Sequence, residues 1–418
     1  MFVRHLILLG IVAAAYSLPL DQANWQLVPN ADGYLHLVNI NPYNLPEANP
    51  SDPEVLFNPE TDIEFRLFTR SNPTQAQILQ INNPASITGS NFNPAHPTRF
   101  TIHGWNGNGN DGMNSRTRDE LLALGDFNMI TVDWSVAAVT PNYISARNAV
   151  GPAGFGVGRL IDRLIELTGA NVNNIYVIGF SLGAHVAGNA GKHFNGRINT
   201  IIALDPAGPL FSAGQSDAVS PQDGLYVETI MTNAGLLGAN EPLGQSNFYP
   251  NGGRNQPGCG VDIGGGCAHG RAPAFYIESL RSSVPFRSTR CASHDEVLGG
   301  VCTPSGPDAN MGGQPSNFGR GVQGIYFLTT NDASPFAREL TLETVKQRLL
   351  GEESKRADRA DFSIEEKSAA FVGEAGGGKK QQRFNGKCHR CGKTGHMQRN
   401  CRVKKPESNA NTVVGGMC

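Results

Sequence analysis

The sequence has no surplus of either charge. Its 418 residues carry 34 Lys and Arg against 36 Asp and Glu, so overall charge argues for no particular polyanionic or basic partner. No internal run is apolar enough to cross a bilayer. The one short apolar stretch, residues 6–15, is well below the ~20 residues that a spanning helix needs. Cysteine is confined to two sets, Cys259, Cys267, Cys291 and Cys302 in the middle and Cys388, Cys391, Cys401 and Cys418 in the tail. The composition is also wrong for a helical bundle: Gly 50 and Pro 26 suit a loop-rich fold.

What is present begins with Arg4 and His5, then the apolar stretch, then Ala15-Tyr-Ser17. A basic start, a short apolar core and small residues at the end make a secretory signal. Residues 1–17 are expected to be removed, leaving a secreted, extracellular protein with no integral membrane segment. In that compartment the four central cysteines are expected to be oxidised, and short spacing favours Cys259 with Cys267 and Cys291 with Cys302.

Residues 18–59 are rich in Pro, Asn and Asp, with little periodicity, and read as a propeptide or a loosely attached arm. Residues 61–70 then alternate, with Ile63, Phe65 and Leu67 on one face of a half-buried strand. Residues 90–94 make a turn. Residues 99–102 form a strand that ends in His103-Gly-Trp-Asn-Gly-Asn-Gly109. Another strand, 129–132, runs into Asp133-Trp134. Between 148 and 169, Val157, Leu160, Ile161, Leu164 and Leu167 recur at helical spacing and Gly169 ends the helix. Residues 200–204 and 225–230 are two more apolar strands. Strands alternating with helices predict an α/β fold with a mostly parallel sheet covered on both faces.

The chain is organised around residues 175–185. Four strand formers run into Gly179-Phe-Ser-Leu-Gly183, and 182–194 is ready to be helix. A G-x-S-x-G turn between strand and helix is a nucleophile elbow, which holds its serine, here Ser181, in a strained conformation above a sheet. The glycines let strand and helix pass closely. Such a serine needs two N–H groups for the oxyanion. One comes from the next residue, Leu182, and the other from an early strand-to-loop turn, where Trp105 fits. It also needs a base and an orienting acid, in the order Ser, Asp or Glu, His. Asp205 ends the strand 200–204 and is the best acid; Asp223 and Asp262 end no apolar run. Two histidines follow, His269 and His294, and local sequence leaves the choice open, with the neighbouring disulfide favouring His269 slightly. His185 and His193 lie too near Ser181 in sequence and read as packing or surface residues.

Residues from about 60 to 337 resemble the pancreatic-type lipase family, in particular its insect neutral-lipase branch. The resemblance is carried by Pro97-Thr-Arg-Phe-Thr-Ile-His-Gly-Trp105, Val132-Asp-Trp134, Gly179-Phe-Ser-Leu-Gly-Ala-His185, Leu204-Asp-Pro-Ala-Gly-Pro-Leu-Phe211, Phe248-Tyr-Pro-Asn-Gly-Gly253, Pro257-Gly-Cys259 and Cys267-Ala-His269. It implies an α/β-hydrolase fold, ester hydrolysis without a cofactor, and a triad of Ser181, Asp205 and His269. There are departures. The two cysteines that flank the family's lid enclose only residues 260–266, mostly glycine, so the site is expected to be open, as in members with phospholipase or galactolipase activity. Met231 and Asn247 replace a family His and Asp. The acidic residues of the family's calcium loop are mostly unmatched across 212–223, and the C-terminal β-sandwich of pancreatic members has no counterpart. The expected substrate is a neutral lipid or a phospholipid, for a triacylglycerol lipase or an sn-1 phospholipase. The rival on the same fold is a non-catalytic lipid-binding protein of the yolk type.

The lipase resemblance, domain 60–338, stops there. Residues 339–383 read as a charged helix and a polar linker. Residues 379–405 carry ten basic residues and no acidic one. Within 384–405, Cys388, Cys391, His396 and Cys401 have the C-x2-C-x4-H-x4-C spacing of a zinc knuckle. Three thiolates and an imidazole suit a tetrahedral Zn2+. Such knuckles bind single-stranded nucleic acid, with Lys and Arg neutralising phosphates. Residues 340–350 plus the knuckle resemble the end of a Copia-type retrotransposon Gag protein, a transposon-derived piece joined to the hydrolase, followed by a disordered tail, 406–418. Its chemistry wants reduced cysteines where the lipase half wants oxidised ones. A third reading therefore makes the chain a nucleic-acid-binding protein through its tail.

Overall fold

A computed structural model describes residues 25–29, 35–39 and 57–339. Residues 1–17, expected to be a signal segment, and everything from residue 340 onward, including Cys388, Cys391, His396 and Cys401, lie outside the described residues. The described residues belong to one compact unit, Met1–Glu339.

The arm differs from the expectation of a loose segment. Strands β1 (Trp25–Pro29) and β2 (Leu35–Asn39) pair antiparallel, and Val28 and Val38 enter the core. Neither strand shows a clean alternation, because Leu27 and Leu37 are exposed apolar residues next to the buried Val28 and Val38.

The main sheet has eleven strands. In chain order they are β3 (Glu64–Phe68), β4 (Gln77–Leu79), β5 (Thr98–Ile102), β6 (Asn128–Asp133), β7 (Ile175–Phe180), β8 (Thr200–Leu204), β9 (Tyr226–Ile230), β10 (Ser246–Pro250), β11 (Arg287–Cys291), β12 (Ala309–Asn310) and β13 (Gly324–Leu328). Across the sheet the order is β12-β11-β13-β10-β9-β8-β7-β5-β6-β3-β4. The central strands run parallel, and the antiparallel pairs lie toward the edges, β3 with β4 and β6 on one side and β11 with β12 and β13 on the other. This is the α/β-hydrolase arrangement expected from the sequence.

Four long helices cover the sheet: α1 (Gly112–Leu124), α2 (Val150–Thr168), α3 (Leu182–His193) and α4 (Gly266–Arg281). Helices α2 and α3 pack together, as do α1 and α4. The strands show why both faces need cover. In β8, Ile201 and Ala203 join the core that holds Val157, Leu160 and Val186 of α2 and α3. Ile202 and Leu204 join the other core, with Leu121 of α1 and Phe275 of α4. A strand buried on both faces reads as a continuous apolar run, because alternate residues serve opposite cores. Helix α2 ends at Gly169, whose φ of 74° is left-handed, the usual stop for a helix.

Candidate active site

Ser181 sits between β7 and α3 with φ 56° and ψ −123°, a conformation that costs a non-glycine residue of order 1–3 kcal/mol. The surroundings hold it there: its N–H donates to the Leu204 carbonyl at 3.0 Å, and its carbonyl accepts from Ala184 and Ala207 at 3.0 and 3.2 Å. The two glycines have different reasons. A Cβ on Gly179 would lie 2.0 Å from the Gly183 carbonyl oxygen, so this one lets helix meet strand. A Cβ on Gly183 would lie 2.4 Å from the carbonyl oxygens of Ile102 and His103, so it lets the helix meet β5 and the loop after it. The second role was not legible from the motif.

Asp205 follows β8, fully buried, with a positive φ of 39° and its N–H on the Ile230 carbonyl at 2.8 Å. Its Oδ1 accepts from the backbone N–H groups of Thr232 and Asn233 at 2.7 and 3.0 Å. Its Oδ2 lies 2.6 Å from Nδ1 of His269. His269 is in the first turn of α4, nearly buried, and its ring lies against Phe180, the neighbour of Ser181, with centroids 4.5 Å apart. Asp205 and His269 are therefore brought together and set beside the elbow. Among the described residues no hydrogen bond joins Ser181 Oγ to His269; such bonds are often long before substrate binds. The Tyr249 hydroxyl, buried and without a hydrogen-bond partner among the described residues, is held in its neutral form by burial and then by the Asp205 charge.

The turn after β5 lies directly against the serine. A Cβ on Gly104 would be 2.9 Å from Ser181 Cβ and 3.4 Å from its Oγ. The next residue is Trp105, and on the other side of the serine Leu182 is the first residue of α3. Trp105 is buried, with Nε1 donating to the Thr140 carbonyl at 2.9 Å and its ring edge-on to Tyr143. Trp134, part of a matched motif but given no role from sequence, anchors this turn twice. Its N–H donates to His103 Nε2 at 3.2 Å and its Nε1 to the His103 carbonyl at 2.9 Å. His103 Nδ1 then faces the Gly104 carbonyl at 2.8 Å, which makes that nitrogen the protonated one.

The rival residues are otherwise engaged. His294 lies against the Tyr249 ring, with centroids 5.2 Å apart, and Asp223 pairs with Lys192 at 2.5 Å. His185 is fully buried, with Nε2 donating to the Ala207 carbonyl and Nδ1 accepting from Val219. His193 pairs with Asp162. Met231 is a core residue, and Asn247 closes a buried turn through Gly244 and Thr229. Disulfides join Cys259 to Cys267 and Cys291 to Cys302. Among the described residues the one cluster with three potential metal ligands is Cys259, Asp262 and Cys267, whose sulfurs are bonded to each other. No helix among the described residues is long and apolar enough to cross a membrane.

Comparison with known families matches residues 41–336 to the family described as Lipase and residues 386–403 to the Zinc knuckle. The lipase match thus begins earlier than the sequence motifs, inside the arm. The chain is 35% identical over 255 residues to Lipase member H of Oryctolagus cuniculus, covering 59% of this chain and 55% of that protein. It is 35% identical over 267 residues to Phospholipase A1 member A of Bos taurus, covering 62% of this chain and 58% of that one. It is 33% identical over 317 residues to Pancreatic triacylglycerol lipase of Oryctolagus cuniculus, covering 69% and 66%. The chain therefore spans between half and two thirds of the length of these relatives.

Proposed function

Because the chain belongs to the lipase family, we propose that it hydrolyses the carboxylic esters of lipids through Ser181, His269 and Asp205. The observation that carries this is the Asp205–His269 pair set beside a serine in a strained positive-φ turn. Ser181 Oγ attacks the ester carbonyl. His269 Nε2 takes the serine proton and later returns one to the leaving alcohol. Asp205, fixed by Thr232 and Asn233, holds the proton on His269 Nδ1 and so keeps Nε2 free to accept. The N–H groups of Trp105 and Leu182 receive the oxyanion; losing one such donor costs about 100–1000-fold in rate. Relatives named as a triacylglycerol lipase and as a phospholipase A1 support both substrate classes. The basic start and short apolar core of residues 1–17 support secretion.

The test is hydrolysis of trioleoylglycerol and phosphatidylcholine by the full chain beside Ser181→Ala. Activity abolished by the substitution supports the triad, and the preferred lipid names the substrate. A folded, disulfide-bonded chain that hydrolyses neither moves the weight to a lipid-binding protein without catalysis.

The Zinc knuckle match carries a second reading for the tail. Cys388, Cys391, His396 and Cys401 fit zinc by their donor chemistry and would hold it. Bound there, the ion supplies structure and not reactivity. The basic residues around them would contact the phosphates of single-stranded nucleic acid.

A further inference from the structure

We propose that the loop closed by Cys259 and Cys267 braces the catalytic base instead of covering the site, and that Asp262 is its positioning residue. This rests on the reading of His269 as the base.

Helix α4 begins at Gly266, and His269 lies in its first turn. The first N–H groups of a helix have no partner inside it, so this turn holds its shape only if something caps it. The residue in the capping position is Gly265, with no side chain to offer and a φ of +73°. Asp262 supplies what is missing. Its Oδ2 accepts from the Ala268 N–H at 2.8 Å and its Oδ1 from the Cys267 N–H at 3.3 Å. These are the two residues before His269. The disulfide, with Cα atoms 5.6 Å apart, shortens the path from Asp262 to the helix it caps.

The brace then closes on the acid. The His269 N–H donates to the Gly265 carbonyl at 2.8 Å, and the Gly265 N–H to the Asp262 carbonyl at 3.1 Å. Gly265 lies so close to Asn233 that an added Cβ would be 2.4 Å from its Oδ1. The Asn233 N–H is one of the two backbone donors on Asp205, which in turn holds His269. Asp262, the start of α4, His269, Asp205, Asn233 and Gly265 thus form one closed circuit. The other large side chains of the loop turn away from it: Val261 is 91% and Ile263 76% exposed. A cap adds little to the stability of a whole domain. A displacement of about 1 Å at a reacting group, by contrast, lowers the rate about 100-fold.

The experiment uses the full chain with Asp262→Ala, Asp262→Asn and Ser181→Ala, assayed on p-nitrophenyl butyrate below its solubility limit, so that adsorption to a lipid surface does not enter. Asp262→Ala is expected to lower kcat about tenfold or more with KM within about twofold, and to shift the thermal midpoint by only about 4 °C. Phosphonylation of Ser181 by a p-nitrophenyl phosphonate should slow by the same factor as kcat. Asp262→Asn should recover part of the rate, since its one oxygen can keep the shorter bond, from Ala268, and gives up only the longer one, from Cys267. Should Asp262→Ala fail to accumulate, Asp262→Ser, whose shorter side chain reaches less of the helix end, is read in the same way. Wild-type kcat in the Ala variant, a loss confined to KM, or an Asn variant no better than Ala would overturn the proposal. Hydrolysis that survives in Ser181→Ala sinks the triad reading itself, a separate outcome.

Discussion

Asp205→Asn should leave the fold nearly intact and remove most of the activity, and the structure says why. The carboxylate has three donors to satisfy: the fixed N–H groups of Thr232 and Asn233 on Oδ1 and His269 on Oδ2. An asparagine has one oxygen. The two backbone donors cannot turn, so that oxygen must face them and the amide NH2 must face His269. Nδ1 then has to accept, which moves the imidazole proton to Nε2, the nitrogen that should take the proton from Ser181. The same exchange in a serine protease triad lowers kcat about 10^4-fold, equivalent to about 5.5 kcal/mol of activation free energy. We expect a loss of that order here, seen as kcat on a soluble ester. Because both buried N–H groups keep an acceptor, the urea midpoint should move little. Asp205→Ala is the contrast: it orphans two buried N–H groups, at about 1–3 kcal/mol each, and should lose stability as well as activity. An Asn variant within tenfold of wild-type kcat would refute the assignment of Asp205 as the orienting acid.

Gly104→Ala places a methyl 2.9 Å from Ser181 Cβ, closer than van der Waals contact. It should push the turn proposed to receive the oxyanion off the serine and cost about 10–100-fold in kcat with KM little changed; equal kcat in steady-state assays would refute the proposal. Stability against pH hides two opposed groups. Burial pushes His185 down to about 4 and Glu228 up to about 7. As pH falls from about 6.5 to about 4, the fold loses what it gains by keeping His185 neutral. As pH falls from about 7 to about 4.5, it gains from protonating Glu228. Each effect reaches about 3 kcal/mol and they nearly cancel. Glu228→Gln should therefore unmask a steep loss of stability toward acid in urea titrations at pH 5 and 7.5; an unchanged slope would refute the opposition. Removing zinc with a chelator should leave ester hydrolysis at its full rate while abolishing zinc-dependent binding of a single-stranded oligonucleotide, and Cys391→Ser should do the same. A hydrolysis rate that falls with zinc would refute the separation of the two halves.

The central strands and α2 and α3 were legible because their signals are local and strong. Residues 200–204 are apolar at every position but the first, and β8 has those bounds. The strands after β9 were not. Ser246-Asn-Phe-Tyr-Pro250 is a fully buried strand with two polar residues and a proline in it, and β11 is Arg287-Ser-Thr-Arg-Cys291. Polar side chains in them are paired inside the protein: Ser246 Oγ donates to the Val322 carbonyl at 2.8 Å, and Ser288 Oγ to the Phe286 carbonyl at 3.0 Å. No pattern of hydropathy records such a partner. Helix α4 was hidden in the same way, since Gly266, Gly270 and Pro273 interrupt its helical signal and packing against the sheet overrides weak propensity.

The site divides along the same line. Ser181 and Asp205 stand at the ends of strands, so the strand-turn-helix pattern points to them with no knowledge of contacts. His269 does not, because what singles it out from His294 is a bond to a residue 64 positions away. Two histidines, each near a disulfide cysteine, look alike by local pattern, and only the family resemblance points to His269 before the chain is folded. The backbone donors on Asp205 were unreadable for a deeper reason: an N–H carries no side-chain identity, so Thr232 and Asn233 could have been many other residues. Asp262 marks the limit from the other side. By sequence it is a weak candidate for the acid because it ends no apolar run. That criterion ranks a carboxylate by where a sheet would present it. Asp262 instead caps a helix from within the loop that precedes it, a position that only the path of the chain from Cys259 to Cys267 creates.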